Sequence, residues 1–172
     1  MNSLFRTILV PHDLSEHANR ALALASELAA AHRGRLYVLH TIMPIETVVG
    51  FPDRIPWSIP VDDMVKTARE TLERMVARVI GRRRVPFACE VVVGAPFDRI
   101  MAAARRADSI VMSTLGRTGL SHVVIGSVAE KVVRHSPVPV LTLRPHAMAA
   151  RLRRRGGGAR HVKAFRRAGR HR

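Results

Sequence analysis

The sequence predicts an α/β fold: a five-stranded parallel sheet, doubly wound, with helices on both faces. Three observations predict it. Short, nearly continuous apolar runs alternate with segments of helical periodicity, in the order strand, helix, strand, helix, strand, helix, strand, loop and helix, strand. Parallel neighbours need crossover connections, and intervening helices supply them. The chain has 172 residues, 47% of them hydrophobic, which is enough for one well-filled core and too little for two domains of ordinary size.

Each element has its own signal. "LFRTILV" suits a buried parallel strand and ends at Pro11. Asp13 and Ser15 then offer helix caps, with Glu16 following, and Ala18, Ala21, Leu22, Ala25, Leu28 and Ala29 recur at helical spacing until Gly34. "RLYVLHTI" forms the second strand, from Arg35 to Ile42. From Met43 to Pro60, Pro44, Gly50, Pro52, Pro56 and Pro60 rule out a regular helix or a central strand. The length of this loop suits a lid more than a simple connection.

Val61, Met64, Val65, Ala68, Leu72, Met75, Val76, Val79 and Ile80 make the apolar stripe of a long helix. Its opposite face carries Asp62 with Lys66, Arg69 with Glu73 and Glu70 with Arg74, the spacing of ion pairs on a solvated surface. Gly81 and a basic turn lead to the strand "FACEVVV", which Gly94 closes. Pro96 opens a helix with Ile100, Met101 and Ala104 facing inward. "SIVMST" is the fourth strand, Ser127 to His135 the last helix, and "VPVLTLR" the fifth strand.

Charge divides the chain. The net charge is +16, yet the segment from His146 onward holds ten Lys or Arg and no acid, leaving nineteen basic residues against thirteen acids in residues 1–145. We therefore read residues 1–145 as the domain and 146–172 as a basic tail whose glycines and sparse apolar residues predict disorder. The tail's arginines suit nucleic acid or another anionic surface, and its arginine-rich composition fits base composition of the genome equally well. The single cysteine, Cys89, lies in an apolar stretch and reads as a small core residue. Nine histidines show no zinc-like spacing with cysteine, so no metal site is expected. The amino-terminal apolar run is short and broken by Pro11, His12 and Asp13, which fits neither a signal nor a transmembrane segment and leads us to expect a cytoplasmic protein.

The stretch "STLGRTGLSHVVIGSVAEK" carries the functional question. It has neither the dinucleotide fingerprint nor a glycine loop ending in Gly-Lys-Ser or Gly-Lys-Thr. Gly116, Gly119 and Gly126 permit tight turns and close approach, and Gly126-Ser127 opens a helix with free amides, the parts of an anion site. The same residues suit a plain loop in which Ser127 is an N-cap, and residue types alone leave both readings open. Asp13 is likewise either a ligand-facing acid or a helix cap. His12 beside Asp13 resembles a base and acid pair, but adjacent strand-end residues point apart, so no catalytic residue is expected.

"GRTGLSHVVIGSVAEKVVRHSPVPVLTLRP" resembles the carboxyl-terminal signature of the universal stress protein family, and "ILVPHDLSEHANRAL" resembles that family's start. The similarity spans about residues 4–145 and implies the adenine-nucleotide alpha-hydrolase-like fold. In the nucleotide-binding branch the signature runs glycine, two residues, glycine, nine residues, glycine, then serine or threonine. Gly116, nine residues and Gly126-Ser127 match its later part, and Ser113 replaces the first glycine. The resemblance implies Pro11, Asp13 and Thr41 around adenine and ribose, Met112 and Ser113 beside the ribose, and Gly116, Gly126, Ser127 and Val128 around the phosphates. Arg117 is either an added cation there or a solvated loop charge.

The implied function is that of a stress-response or regulatory protein binding ATP or another adenine nucleotide, with Mg where the nucleotide brings it. At most slow ATP hydrolysis is expected, because the loop lacks a lysine before its helix. The resemblance also implies a homodimer through Val138 to Leu143, an apolar edge strand that needs covering. The alternative from another class is a nucleotide-independent dimeric interaction module whose basic tail binds nucleic acid or another polyanion.

Overall fold

Alternation along the first strand sets the architecture. In β1 (Thr7–Pro11), Ile8 and Val10 belong to one apolar cluster and Leu9 to another, and all three are fully buried. A strand buried on both sides requires a layer on each. The computed structural model describes residues 4–43, 61–115 and 125–144. Its further elements are α1 (Glu16–His32), β2 (Arg35–Ile42), α2 (Val61–Ile80), β3 (Phe87–Val93), α3 (Pro96–Ala104), β4 (Ser109–Ser113), α4 (Ser127–His135) and β5 (Val140–Leu143).

The five strands pair in the order β3-β2-β1-β4-β5, all parallel. The order reverses between β1 and β4, so the chain winds outward in both directions from the middle of the sheet. Ala21, Leu22 and Ala25 of α1 and Leu72 and Val76 of α2 pack on Ile8, Val10, Leu36 and Val38. Ile100 and Ala103 of α3 and Ala129 and Val132 of α4 pack on Leu9, Leu39, Ile110 and Met112. Cys89 is buried in the first cluster, and burial pushes its thiol pKa up to about 11, which makes it an inert core residue.

Several local expectations are corrected. Pairing in β1 begins at Thr7 and runs through Pro11, which closes the strand from within it. Ser15 caps α1, its hydroxyl accepting from the Ala18 amide at 3.1 Å, while Asp13 Oδ1 accepts from the Ser15 amide and hydroxyl; Asp13 is therefore not the cap. The left-handed residue that ends α1 is Arg33, with φ of 53°. Gly34 serves another need: a Cβ there would stand 1.9 Å from the Phe5 carbonyl oxygen. In α3, Ala103 takes the inward place expected of Met101, which is only half-buried.

Of the three ion pairs expected on α2, Arg69 with Glu73 forms, at 3.1 Å, and the other two do not among the described residues. Exposed pairs gain little against the entropy of fixing two long side chains. β5 starts at Val140, two residues later than the dimer segment expected from Val138, and the Pro139 carbonyl accepts from Ile110 just before it. The lid expected over residues 43–60 and the basic tail lie, apart from Met43, outside the described residues. No helix among the described residues is long and apolar enough to cross a membrane.

Gly34→Ala is expected to destabilise the fold by more than about 3 kcal/mol, because backbone, not a movable side chain, occupies the space of the new methyl. Urea unfolding followed by circular dichroism measures it, and a loss under about 1 kcal/mol would contradict the geometry.

Candidate functional site

The carboxyl ends of β1 and β4 flank the switch in strand order, where parallel sheets leave a crevice between diverging crossovers. A cavity of about 320 Å³ lies there. That volume falls at the lower end of the range for small-molecule sites. Pro11, His12 and Asp13 line it from the end of β1, Leu39, His40 and Thr41 from β2, and Met112 to Leu115 from the end of β4. Pro96 and Ile100 of α3 and Gly126 to Ala129 at the start of α4 close it from the other side.

The start of α4 is held against β4 by its glycine. The Gly126 amide donates to the Thr114 carbonyl at 2.7 Å, and a Cβ on Gly126 would sit 3.1 Å from the same oxygen. Glycine is favoured here for close approach, since its φ of −67° is open to any residue. Gly126 is the N-cap and has no side-chain cap bond, so Ser127 is the first helical residue and not the cap. The first amide in the helix with a backbone acceptor is that of Glu130, bonded to the Gly126 carbonyl at 2.9 Å. The amides of Ser127, Val128 and Ala129 thus have no partner among the described residues, and all three residues line the cavity. A helix start left in this way favours negative charge.

Across the cavity, the turn after β1 is tied by short-range bonds. Asp13 Oδ1 is engaged by Ser15, and Oδ2 has no partner among the described residues. Leu14 adopts a left-handed φ of 65°, a conformation that costs a non-glycine residue about 1–2 kcal/mol. Its amide donates to His12 Nδ1 at 3.1 Å, and His12 Nε2 donates to Asn19 Oδ1 at 3.2 Å. Because Nδ1 accepts, His12 is the neutral tautomer protonated on Nε2. Burial pushes its pKa below 6.5, against the opposing pull of the Asn19 bond and the Asp13 charge, and with a smaller downward push from His40. His40 donates from Nδ1 to the His12 carbonyl at 2.7 Å, and the His12 amide bonds the Leu39 carbonyl, which clamps the ends of β1 and β2 together.

Eight of the ten residues expected at the site line this one cavity: Pro11, Asp13, Thr41, Met112, Ser113, Gly126, Ser127 and Val128. Gly116 and Arg117 lie outside the described residues. Ser113 stands where the family pattern has glycine, yet it is not among the positive-φ residues, so its backbone needs no glycine there. Its hydroxyl accepts from the Leu115 amide at 3.2 Å and steadies the turn. Sequence reasoning did not place Leu39, Pro96 or Ile100 at the site. Their positions depend on strand order, although an apolar residue next to a strand end is a usable signal.

The family model described as "Universal stress protein family" matches residues 4–144. The chain belongs to the universal stress protein family. A universal stress protein of Thermus aquaticus is 35% identical over 144 residues, covering 82% of this chain and all of that relative. The solved structure of a universal stress protein family member from Burkholderia pseudomallei is 33% identical, covers 83% of this chain and 98% of that one, and superposes with a TM-score of 0.63. The universal stress protein of Archaeoglobus fulgidus, solved in complex with dAMP, is 23% identical with a TM-score of 0.57, covers 81% of this chain and 98% of that one, and shares the fold.

His12 also sets a pH dependence within this universal stress protein. The unfolded chain binds the proton more readily than the folded one, so stability falls as pH drops below about 6.5. His12→Asn keeps an acceptor for the Leu14 amide and removes the titration. Melting temperature measured from pH 7 down to pH 5 is expected to fall less steeply in this variant than in the parent. Equal slopes would show that His12 titrates as it does in the unfolded chain.

Proposed function

We propose that this universal stress protein is a stress-response or regulatory protein that binds an adenine nucleotide, ATP or another adenylate, at the carboxyl ends of β1 and β4. It senses the ligand rather than turning it over rapidly. One observation carries this reading: Ser127, Val128 and Ala129, whose amides have no partner among the described residues, line the same cavity as Asp13, whose Oδ2 has none among them either. Amide donors at a helix start suit a phosphate, and a carboxylate oxygen suits the hydroxyls of a ribose, which donate. Leu39, Ile100 and Met112 supply apolar lining for a base.

The dAMP-bound relative supports the ligand class at the level of the fold. By resemblance, Gly116 joins the phosphate contacts, and Mg would arrive on the nucleotide, with Asp13 the carboxylate among the described lining residues. Both ring nitrogens of His12 are already engaged, by Leu14 and Asn19, which argues against a general base beside Asp13 and for slow turnover at most.

Excess ATP, ADP or AMP is expected to raise the melting temperature, since ligand at a hundred times its Kd adds about 2.7 kcal/mol. Gly126→Trp, which fills the approach to Thr114, is expected to abolish the rise, and Asp13→Asn to weaken binding about tenfold, the loss of a charge-assisted hydrogen bond. No shift with any of the three nucleotides would sink the proposal.

We further propose a homodimer through β5. The strand is an edge of the sheet, and Leu141 on it and Val133 on α4 are 41% and 48% exposed. An open apolar edge is a hazard that pairing with a second copy removes. Sedimentation is expected to give the mass of two chains for the parent and of one for Leu141→Arg. A monomeric parent would contradict it.

A further inference from the structure

The end of the sheet opposite the nucleotide cavity carries a different chemistry. Every strand of a parallel sheet begins on one side, so the loops entering the strands converge there. Arg6 precedes β1, and Arg33 and Arg35 flank the entry to β2. The run Arg82 to Arg84 precedes β3, and Arg105 with Arg106 precedes β4. All eight arginines are exposed. Backbone bonds knit their loops into one surface: Arg35 to the Arg6 carbonyl, Leu36 to the Pro86 carbonyl and Asp108 to the Thr7 carbonyl, at 2.8, 2.9 and 2.9 Å.

Acids offset little of this charge. Glu27 pairs with Arg83, Glu90 with Arg106, and the Asp108 carboxylate accepts from the Thr7 amide. Arg6, Arg33, Arg82, Arg84 and Arg105 meet no acid among the described residues. Eight arginines against three acids account for +5 of the +6 carried by residues 1–145; the remainder has eleven basic residues and ten acids. Arginines at helix ends are sometimes only complements to the dipole, and α1, α2, α3 and α4 all end on this side. Four helix ends present about 2 negative charges in total, which leaves most of the excess uncompensated.

We propose that this arginine face is a docking surface for double-stranded nucleic acid, gripped by its phosphate backbone without base readout. The loops of β3, β2, β1 and β4 are adjacent in the sheet, so the row crosses three strand spacings, about 14 Å. Duplex DNA presents about one phosphate charge per 1.7 Å of axis, hence about eight over that length. Part of that charge faces any one side of the duplex, within reach of the five arginines that meet no acid among the described residues, and guanidinium groups bind phosphate through paired donors. Single strands fit less well: Phe5 is half-buried against the His32 ring, leaving Phe87 as the one exposed aromatic described at this end. A membrane fits less well too, because the helices meet this face end-on, whereas interfacial anchors lie in the plane of the bilayer.

The surface is independent of the nucleotide proposal, and the full-length chain tests it. Fluorescence anisotropy of a labelled duplex of about 20 base pairs is followed between about 50 and 200 mM salt. The quadruple variant R33A/R82A/R84A/R105A is expected to bind at least about tenfold more weakly and to lower the log–log salt slope by about 0.9 for each lost contact, about 3.6 in all. The same change is expected when the tail already carries R153A/R154A/R155A. Should circular dichroism show the quadruple variant unfolded, R82A/R84A and R33A/R105A are each expected to give about half the slope change. An unchanged slope in the face variants, with binding removed by the tail substitutions alone, would overturn the proposal. So would tighter association with phosphatidylserine vesicles than with the duplex.

Discussion

One hydrogen bond fixes the geometry on which the site depends: the Gly126 amide to the Thr114 carbonyl, at 2.7 Å. It joins the start of α4 to the end of β4, and the contact is tight enough that any side chain at position 126 would crowd the same oxygen. With the helix held there, its first amides have no capping bond from the Gly126 position and no partner among the described residues. They open onto the crevice that the reversed strand order creates beside β1. The clamp between His12 and His40 plays the matching part on the opposite wall, keeping the ends of β1 and β2 in register while Leu14 holds a strained turn. Strain of this kind persists where surrounding bonds over-determine the backbone, and it commonly borders functional cavities.

The architecture was legible in the sequence because its signals are local and repeated. The apolar stripe of α2, the unbroken runs of β1 and β4, and Pro96 at the start of α3 each announce their element without knowledge of the partners. What sequence reasoning misassigned was the exact use of individual residues. Asp13 and Ser15 are both good caps, and only the observed bond to Ala18 separates them. Gly34 reads as a helix terminator by composition, yet its requirement comes from Phe5, far away in sequence. Ser127 follows the true cap by one residue because Gly126 has no side chain with which to show its role.

Much of the lining of the cavity was legible as well, through the resemblance more than through residue chemistry. Eight expected residues share one cavity, whereas the buried histidine pair was not foreseen as a unit, since His12 and His40 meet only through strand pairing. The arginine face was hidden for a related reason. Its members are scattered from Arg6 to Arg106, the longest run being Arg82 to Arg84, and the parallel topology gathers them. The two ends of the sheet thus differ in chemistry: backbone donors at the carboxyl ends, guanidinium groups at the amino ends.

The central claim is that peptide amides, not charged side chains, hold an anion at the start of α4. Calorimetric titration of the full-length chain with adenosine and with AMP isolates that anion, because the two ligands differ only in the phosphate. AMP is expected to bind at least about tenfold more tightly, a gain of roughly 1.4 kcal/mol from the charge-assisted bonds of the helix start. Equal affinity for the two, or tighter binding of adenosine, would contradict it.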